Sequence, residues 1–174
     1  MSQQLLDNLK KFNFPTDSSE TGLLFADKDY HNDESVTFDQ ILVLEKAKAL
    51  GACAVYFRRI EGLSVVPQIL IFDNSYEQFT KNDFVEIHKK LWSGEIVPLY
   101  YVFDNTEVKV FNSRKPINEQ LKIDVLATIS LVGKIQQEYH RYFADMFENG
   151  VFWELPGNKS EFSADYSSYN KLIN

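Results

Sequence analysis

The sequence contains a single cysteine, Cys53, so no internal disulfide can brace the fold. Its setting in an apolar run predicts a small buried hydrophobe and not a reactive nucleophile. Glycine is scarce, at 7 of 174 residues, and Gly62, Gly94, Gly133 and Gly150 stand alone. That excludes a glycine-rich, phosphate-cradling loop; Gly133 reads as a mid-helix residue that admits close helix packing. No apolar run nears the roughly 18 residues that span a bilayer, and MSQQLLDNLKKF carries charges where a signal peptide needs an apolar core. The expectation is a cytoplasmic protein without membrane contact. Positive charge is also in deficit: 18 Lys and Arg face 25 Asp and Glu, a net charge of −7. The chain as a whole therefore does not attract nucleic acid, and any phosphate contact must come from a local basic cluster.

What is present is apolar and aromatic. Hydrophobic residues make up 44% and aromatics 14%, which excludes disorder over most of the length. A chain of 174 residues is sized for one domain with a real core. Residues 3–12 suit a short amphipathic helix with Leu5, Leu6 and Leu9 on one side, stopped by Pro15. A polar loop follows, with room for one short edge strand at Gly22–Ala26. Thr37 with Gln40 three residues on forms a capping-box pattern. Behind it Phe38, Ile41, Leu42, Leu44, Ala47 and Leu50 repeat at helical spacing, and Gly51 offers a left-handed stop.

The unit from Gly51 to Phe111 reads strand, turn, strand, helix, strand, turn, strand. Ala52–Arg59 and Val65–Phe72 are its first two strands, with Glu61-Gly62 between them. Pro67 fits a strand start or an edge, not a sheet centre. Asn82 is the expected cap of a helix whose apolar arc is Phe84, Val85, Ile87, His88, Leu91 and Trp92, ended by Gly94. IVPLYYVF and EVKVF then form a hairpin through Asp104-Asn105-Thr106. A second long helix is predicted over 123–147, with Val125, Ile129, Val132, Tyr139, Phe143 and Met146 as its stripe. The expected fold is α/β, of the α+β kind: a small mixed sheet of about four to five strands flanked by helices. Residues 1–160 would form one domain, and 161–174 the start of a linker helix toward a further region.

Few residues here could carry chemistry. Metal-dependent nucleases of the PD-(D/E)XK type hold Mg²⁺ between an acid on one strand and a Glu/Asp-x-Lys on its neighbour. The one Glu-x-Lys in a strand is Glu107-Val108-Lys109, and its alternation with Val108, Val110 and Phe111 suits the solvent face of a hairpin. The strand that should bear the motif reads QILIFD, where Asp73 alone suits a strand-to-turn residue. Asp73, Glu107 and Lys109 are therefore the candidates for an Mg²⁺ site only under a nuclease alternative; no cofactor is otherwise expected in this chain. His31, His88 and His140 share no ligand spacing, and one cysteine completes no zinc site. His88, in an apolar arc, is expected to donate to a backbone carbonyl or a carboxylate. The local basic residues able to meet a phosphate backbone are Arg58, Arg59, Arg114 and Lys115. Lys89 and Lys90 suit a solvated helix face. Tyr100, Tyr101, Phe103 and Trp92 could offer stacking surfaces, although alternation assigns most of them to the core.

The ordered strings GACAVYFRR (51–59), PQILIFD (67–73), IHKKLW (87–92), VPLYY (97–101) and GVFWE (150–154) resemble the amino-terminal domain of large bacterial restriction-modification proteins. In that family an adenine-N6 DNA methyltransferase follows. The same stretch is more distantly similar to the nuclease-like amino-terminal domain of type I restriction subunits. The resemblance implies a degenerate restriction-endonuclease-like fold, with DNA and a downstream methyltransferase region as partners. Cys53 stands where a metal-binding strand would carry an acid. The chain also has no Asn/Asp-Pro-Pro-Tyr/Phe and no glycine-rich strand for S-adenosylmethionine, so the resemblance assigns that cofactor to the downstream region. The expected role is that of an accessory, non-catalytic module, with a metal-dependent endonuclease or a protein-interaction domain as alternatives.

Overall fold

The computed structural model describes residues 2–14, 16, 19, 22–60, 65–118, 123 and 125–145. The expected Glu61-Gly62 turn, Met146 of the helical stripe, the 150–154 motif and the terminal helix lie outside these residues. Six strands follow one another across a single mixed sheet: β1 (Leu23–Phe25), β2 (Ala54–Arg59), β3 (Val65–Asp73), β4 (Leu99–Phe103), β5 (Glu107–Asn112) and β6 (Val125–Ser130). Among the described residues four helices flank it: α1 (Gln3–Lys11), α2 (Phe38–Ala49), α3 (Lys81–Gly94) and α4 (Gln137–Ala144). The sheet thus has more strands than the expected four to five. All neighbours are antiparallel except β3 and β4, which α3 joins as a crossover.

Local chemistry explains the helix ends. The Thr37 hydroxyl accepts from Gln40 N (3.2 Å) while Gln40 Oε1 accepts from Thr37 N (2.9 Å), closing the expected capping box. Gly51, at φ 94°, turns the chain out of α2, and a Cβ there would lie 2.9 Å from the Phe79 ring. α3 is capped by Thr80 with Asp83, not by Asn82, which lies inside the helix. A hydroxyl three residues ahead of a carboxylate satisfies two amides, which Asn82 in the first turn could not do.

The long helix expected over 123–147 is replaced by β6, a turn, and the short α4. Val125, Ile129 and Val132 fit helical spacing, but β-branched Val125, Thr128 and Ile129 favour a pleated strand, and β5 offers it a ladder interrupted only by a bulge between Val110 and Phe111. Gly133 is accordingly a turn residue at φ 81°, and Val132 is 72% exposed. Pro67 sits on an internal strand, yet β4 pairs with β3 only from Ile69 onward, so its missing N–H leaves no gap in that ladder.

Strand alternation splits the core between the two faces. On one face Leu5, Leu9 and Phe12 pack with Tyr142 and Phe143 against Ile69, Ile71, Tyr101 and Phe103. On the other, Leu44 and Ala47 of α2 and Ile87 and Leu91 of α3 cover Leu70, Phe72 and Tyr100. α2 turns Gln40, Leu44 and Ala47 inward, leaving Phe38 (71%) and Leu42 (45%) of the predicted stripe exposed. α1 lies crosswise at one end of the sheet: Ser2 Oγ donates to Asp73 at the end of β3 (2.9 Å), and Lys11 Nζ to the Leu131 carbonyl beyond β6 (3.0 Å). Among the described residues no helix is long and apolar enough to cross a membrane.

Candidate nucleic-acid interface

The two ends of the sheet carry different chemistry. Where β3 and β4 finish, the chain spells Phe72-Asp73-Asn74-Ser75 and, one parallel strand over, Phe103-Asp104-Asn105-Thr106. Each aspartate folds back on its own turn. Asp73 Oδ1 accepts from Ser75 N (3.0 Å) and from the Ser75 hydroxyl, while its Oδ2 accepts from Ser2. Asp104 Oδ1 accepts from the amides of Thr106 and Glu107, each at 2.8 Å. Asn74 brackets the Phe79 backbone, donating to its carbonyl and accepting from its amide, and Asn105 Nδ2 donates to the Ser75 carbonyl (2.9 Å). These are turn-forming aspartates and asparagines.

The strand faces decide whether Asp73 and Glu107 could share a cation. Asp73 follows Ile69 and Ile71 on the α1 side, as its bond to Ser2 requires. Val108 opposes Phe103 on that same side, so Glu107 and Lys109 point to the other face. The two carboxylates stand two strands apart on opposite faces of the sheet and do not meet around one ion. Glu107 and Lys109 instead face each other at 3.5 Å as a partly exposed pair. Among the described residues no group of three or more His, Cys, Asp or Glu could hold a metal.

Cys53 is half-buried and its thiol donates to the Ile71 carbonyl at 3.3 Å. Burial, with the Asp73 charge adding to it, pushes the thiol pKa up to about 12. That keeps it protonated and inert.

The opposite end gathers the basic residues. β2 finishes there at Arg58-Arg59, β3 and β4 begin there, and β5 ends there at Asn112, followed by Arg114 and Lys115. Arg59 is exposed and lines a cleft of about 290 Å³ with Thr37, Gln40, Val43, Phe57 and Pro67. Arg58 points to the other face, half-buried, and its Nε has no hydrogen-bond partner among the described residues. Arg114 and Lys115 are exposed. β2 and β5 are three ladder steps apart, roughly 14 Å, so the two pairs share an end of the sheet without forming one contiguous patch.

The Arg114-Lys115 turn is fastened to the core. Ser113 N donates to the Pro98 carbonyl (3.0 Å), Ser113 Oγ to the Val97 carbonyl, and Arg114 N to Asn112 Oδ1 (3.0 Å). Buried His88 reaches it from α3. Its Nε2 lies 2.6 Å from the Lys115 carbonyl, and its Nδ1 2.8 Å from the Tyr100 hydroxyl. A carbonyl only accepts, so Nε2 carries a proton, and in the neutral ring Nδ1 then accepts from the Tyr100 hydroxyl. The backbone carbonyl expected for His88 is that of Lys115, and the ring is fully buried. The sequence carried no sign of Tyr100 as the second partner, since a tyrosine twelve residues downstream meets α3 only through the sheet. Of the four aromatic residues considered as stacking surfaces, Tyr100, Tyr101 and Phe103 are core, while Trp92 is 49% exposed.

Comparison of the chain with known protein families, with curated proteins and with solved structures gives no match.

Proposed function

We propose that this chain is an accessory, non-catalytic module of a restriction-modification enzyme, placing DNA or the enzyme's catalytic region. The observation that carries the proposal is the gathering of Arg58, Arg59, Arg114 and Lys115 at one end of the sheet, away from Asp73, Asp104 and Glu107. The resemblance of the 51–101 strings to the amino-terminal domain of such enzymes supports it. On this reading the partners are DNA and a downstream adenine-N6 methyltransferase region, which would bind S-adenosylmethionine, and the setting is cytoplasmic. The opposed faces of Asp73 and Glu107 speak against the alternative of a working Mg²⁺ nuclease built on them. A protein-interaction role draws support from one observation, the exposed Phe38 and Leu42 on the outer face of α2.

Anisotropy titration of a labelled duplex across a salt series tests the DNA reading. Phosphate contacts by the three exposed cations, Arg59, Arg114 and Lys115, predict a slope of log K against log salt of about −2.7. Each alanine substitution among Arg59, Arg114 and Lys115 should lower the slope's magnitude by about 0.9. Absence of duplex binding at low salt would remove DNA as the partner.

A further inference from the structure

The cleft beside Arg59 holds a polar group that the fold leaves unused. Gln40, in the first turn of α2, lines this cleft and is only 4% exposed. Its Oε1 accepts from Thr37 N in the capping box, which fixes the orientation of the amide and leaves Nε2 to donate elsewhere. Among the described residues nothing accepts from Nε2. Unlike Arg58 Nε, that nitrogen is not sealed from solvent, so it opens into the cleft. Buried amide donors in native folds are met by a partner, and here the fold supplies none.

Two further donors line the same cleft. Arg59 is exposed, and no carboxylate among the described residues pairs with it. The Thr37 hydroxyl accepts from Gln40 N and keeps its own proton to give. The floor between them is apolar. Phe57 stands opposite Pro67, and Arg59 opposite Val65, on the sheet face that α2 covers, and Val43 closes the side one turn after Gln40. A planar carboxylate matches a guanidinium fork with an amide beside it, and an apolar chain attached to it would lie on the floor. A phosphate suits the cleft less well: it would bring more charge toward Asp39, which also lines the cleft, and would leave the floor uncovered.

We infer that this cleft binds a carboxylate bearing a short apolar chain, held by Arg59 and Gln40. A free small acid or the carboxyl-terminal residue of a protein supplies that chemistry. The site stands apart from the DNA reading and does not depend on it.

Titration of the ¹⁵N-labelled full chain with 4-methylpentanoate, read by NMR at the Gln40 side-chain amide, tests it. A saturable shift is expected. The uncharged 4-methylpentanamide and inorganic phosphate should bind at least about tenfold more weakly. Arg59→Gln should cost at least about tenfold in affinity. Gln40→Glu keeps the acceptor that Thr37 N needs, so the capping box survives, but it replaces the donor with a second carboxylate oxygen. Binding, read then at the Val43 backbone amide, should be lost while thermal unfolding stays cooperative. N-acetyl-leucine imitates a chain end: tighter binding of it than of 4-methylpentanoate upholds the site and assigns a protein terminus, and the reverse upholds the site and assigns a free acid. Absence of a shift, equal binding of the amide or of phosphate, or undiminished binding in either variant overturns the inference.

Discussion

At one end of the sheet the polar side chains are consumed by the fold; at the other they are held out by it. Asp73, Asn74, Asp104 and Asn105 sit where an α/β sheet commonly places a ligand, at the carboxyl ends of parallel strands. Their oxygens and amides instead close two turns and tie them to each other. Around the Arg114-Lys115 turn the order is reversed. There a buried histidine, a tyrosine hydroxyl and a serine fix the backbone, and the charged side chains project into solvent. An acidic residue at a favourable topological position is thus a poor guide to chemistry until its hydrogen bonds are counted.

The contrast can be broken at either end. His88→Leu should have the largest effect, because it removes one buried and one partly buried hydrogen bond and strands the Tyr100 hydroxyl. We expect a loss of about 2–4 kcal/mol in urea unfolding, with new trypsin cleavage after Arg114 as the turn loosens. Asp104→Ala should come next, at about 1–2 kcal/mol, since two turn amides lose their acceptor but solvent can partly replace it. Cys53 sharpens the comparison through pH. Folding raises its pKa to about 12, so the thiol's contribution is complete below its unfolded pKa, roughly 8.5, and is lost as pH rises toward 12. A thiol reagent at pH 8 should accordingly label the unfolded protein far faster than the native one. Glu107→Gln should change stability least, by at most about 0.5 kcal/mol, because its pairing with Lys109 is partly exposed. A larger loss there would assign the pair a role that its geometry does not explain.

Much of the fold was legible. The Thr37–Gln40 box, the Gly51 stop, the strand–helix–strand order of β3, α3 and β4 and the Asp104–Thr106 hairpin are all local signals, each written in a short stretch of sequence, whereas the parallel pairing of β3 with β4 was not. β6 was not, because Val125, Ile129 and Val132 satisfy helical spacing and the strand exists only by virtue of β5 beside it. Phe38 and Leu42 were misplaced for a similar reason: Gln40 is drawn inward by its capping bond, which rotates the buried arc of α2. The candidate site was less legible. Sequence separates Arg58 from Arg114 by more than fifty positions, and only the sheet order brings them to one end. The opposite faces of Asp73 and Glu107 likewise follow from strand pairing that no spacing reveals.

We propose that the basic end meets nucleic acid without carrying out chemistry there. The most direct test of this is a labelled DNA duplex incubated at low salt with Mg²⁺, comparing the native chain with an Arg59→Ala, Arg114→Ala, Lys115→Ala variant, and reading binding and strand integrity in the same samples. Salt-sensitive binding by the native chain, its loss in the triple variant, and intact DNA in both are expected. Cleaved DNA, or binding that the three substitutions leave unchanged, would contradict it.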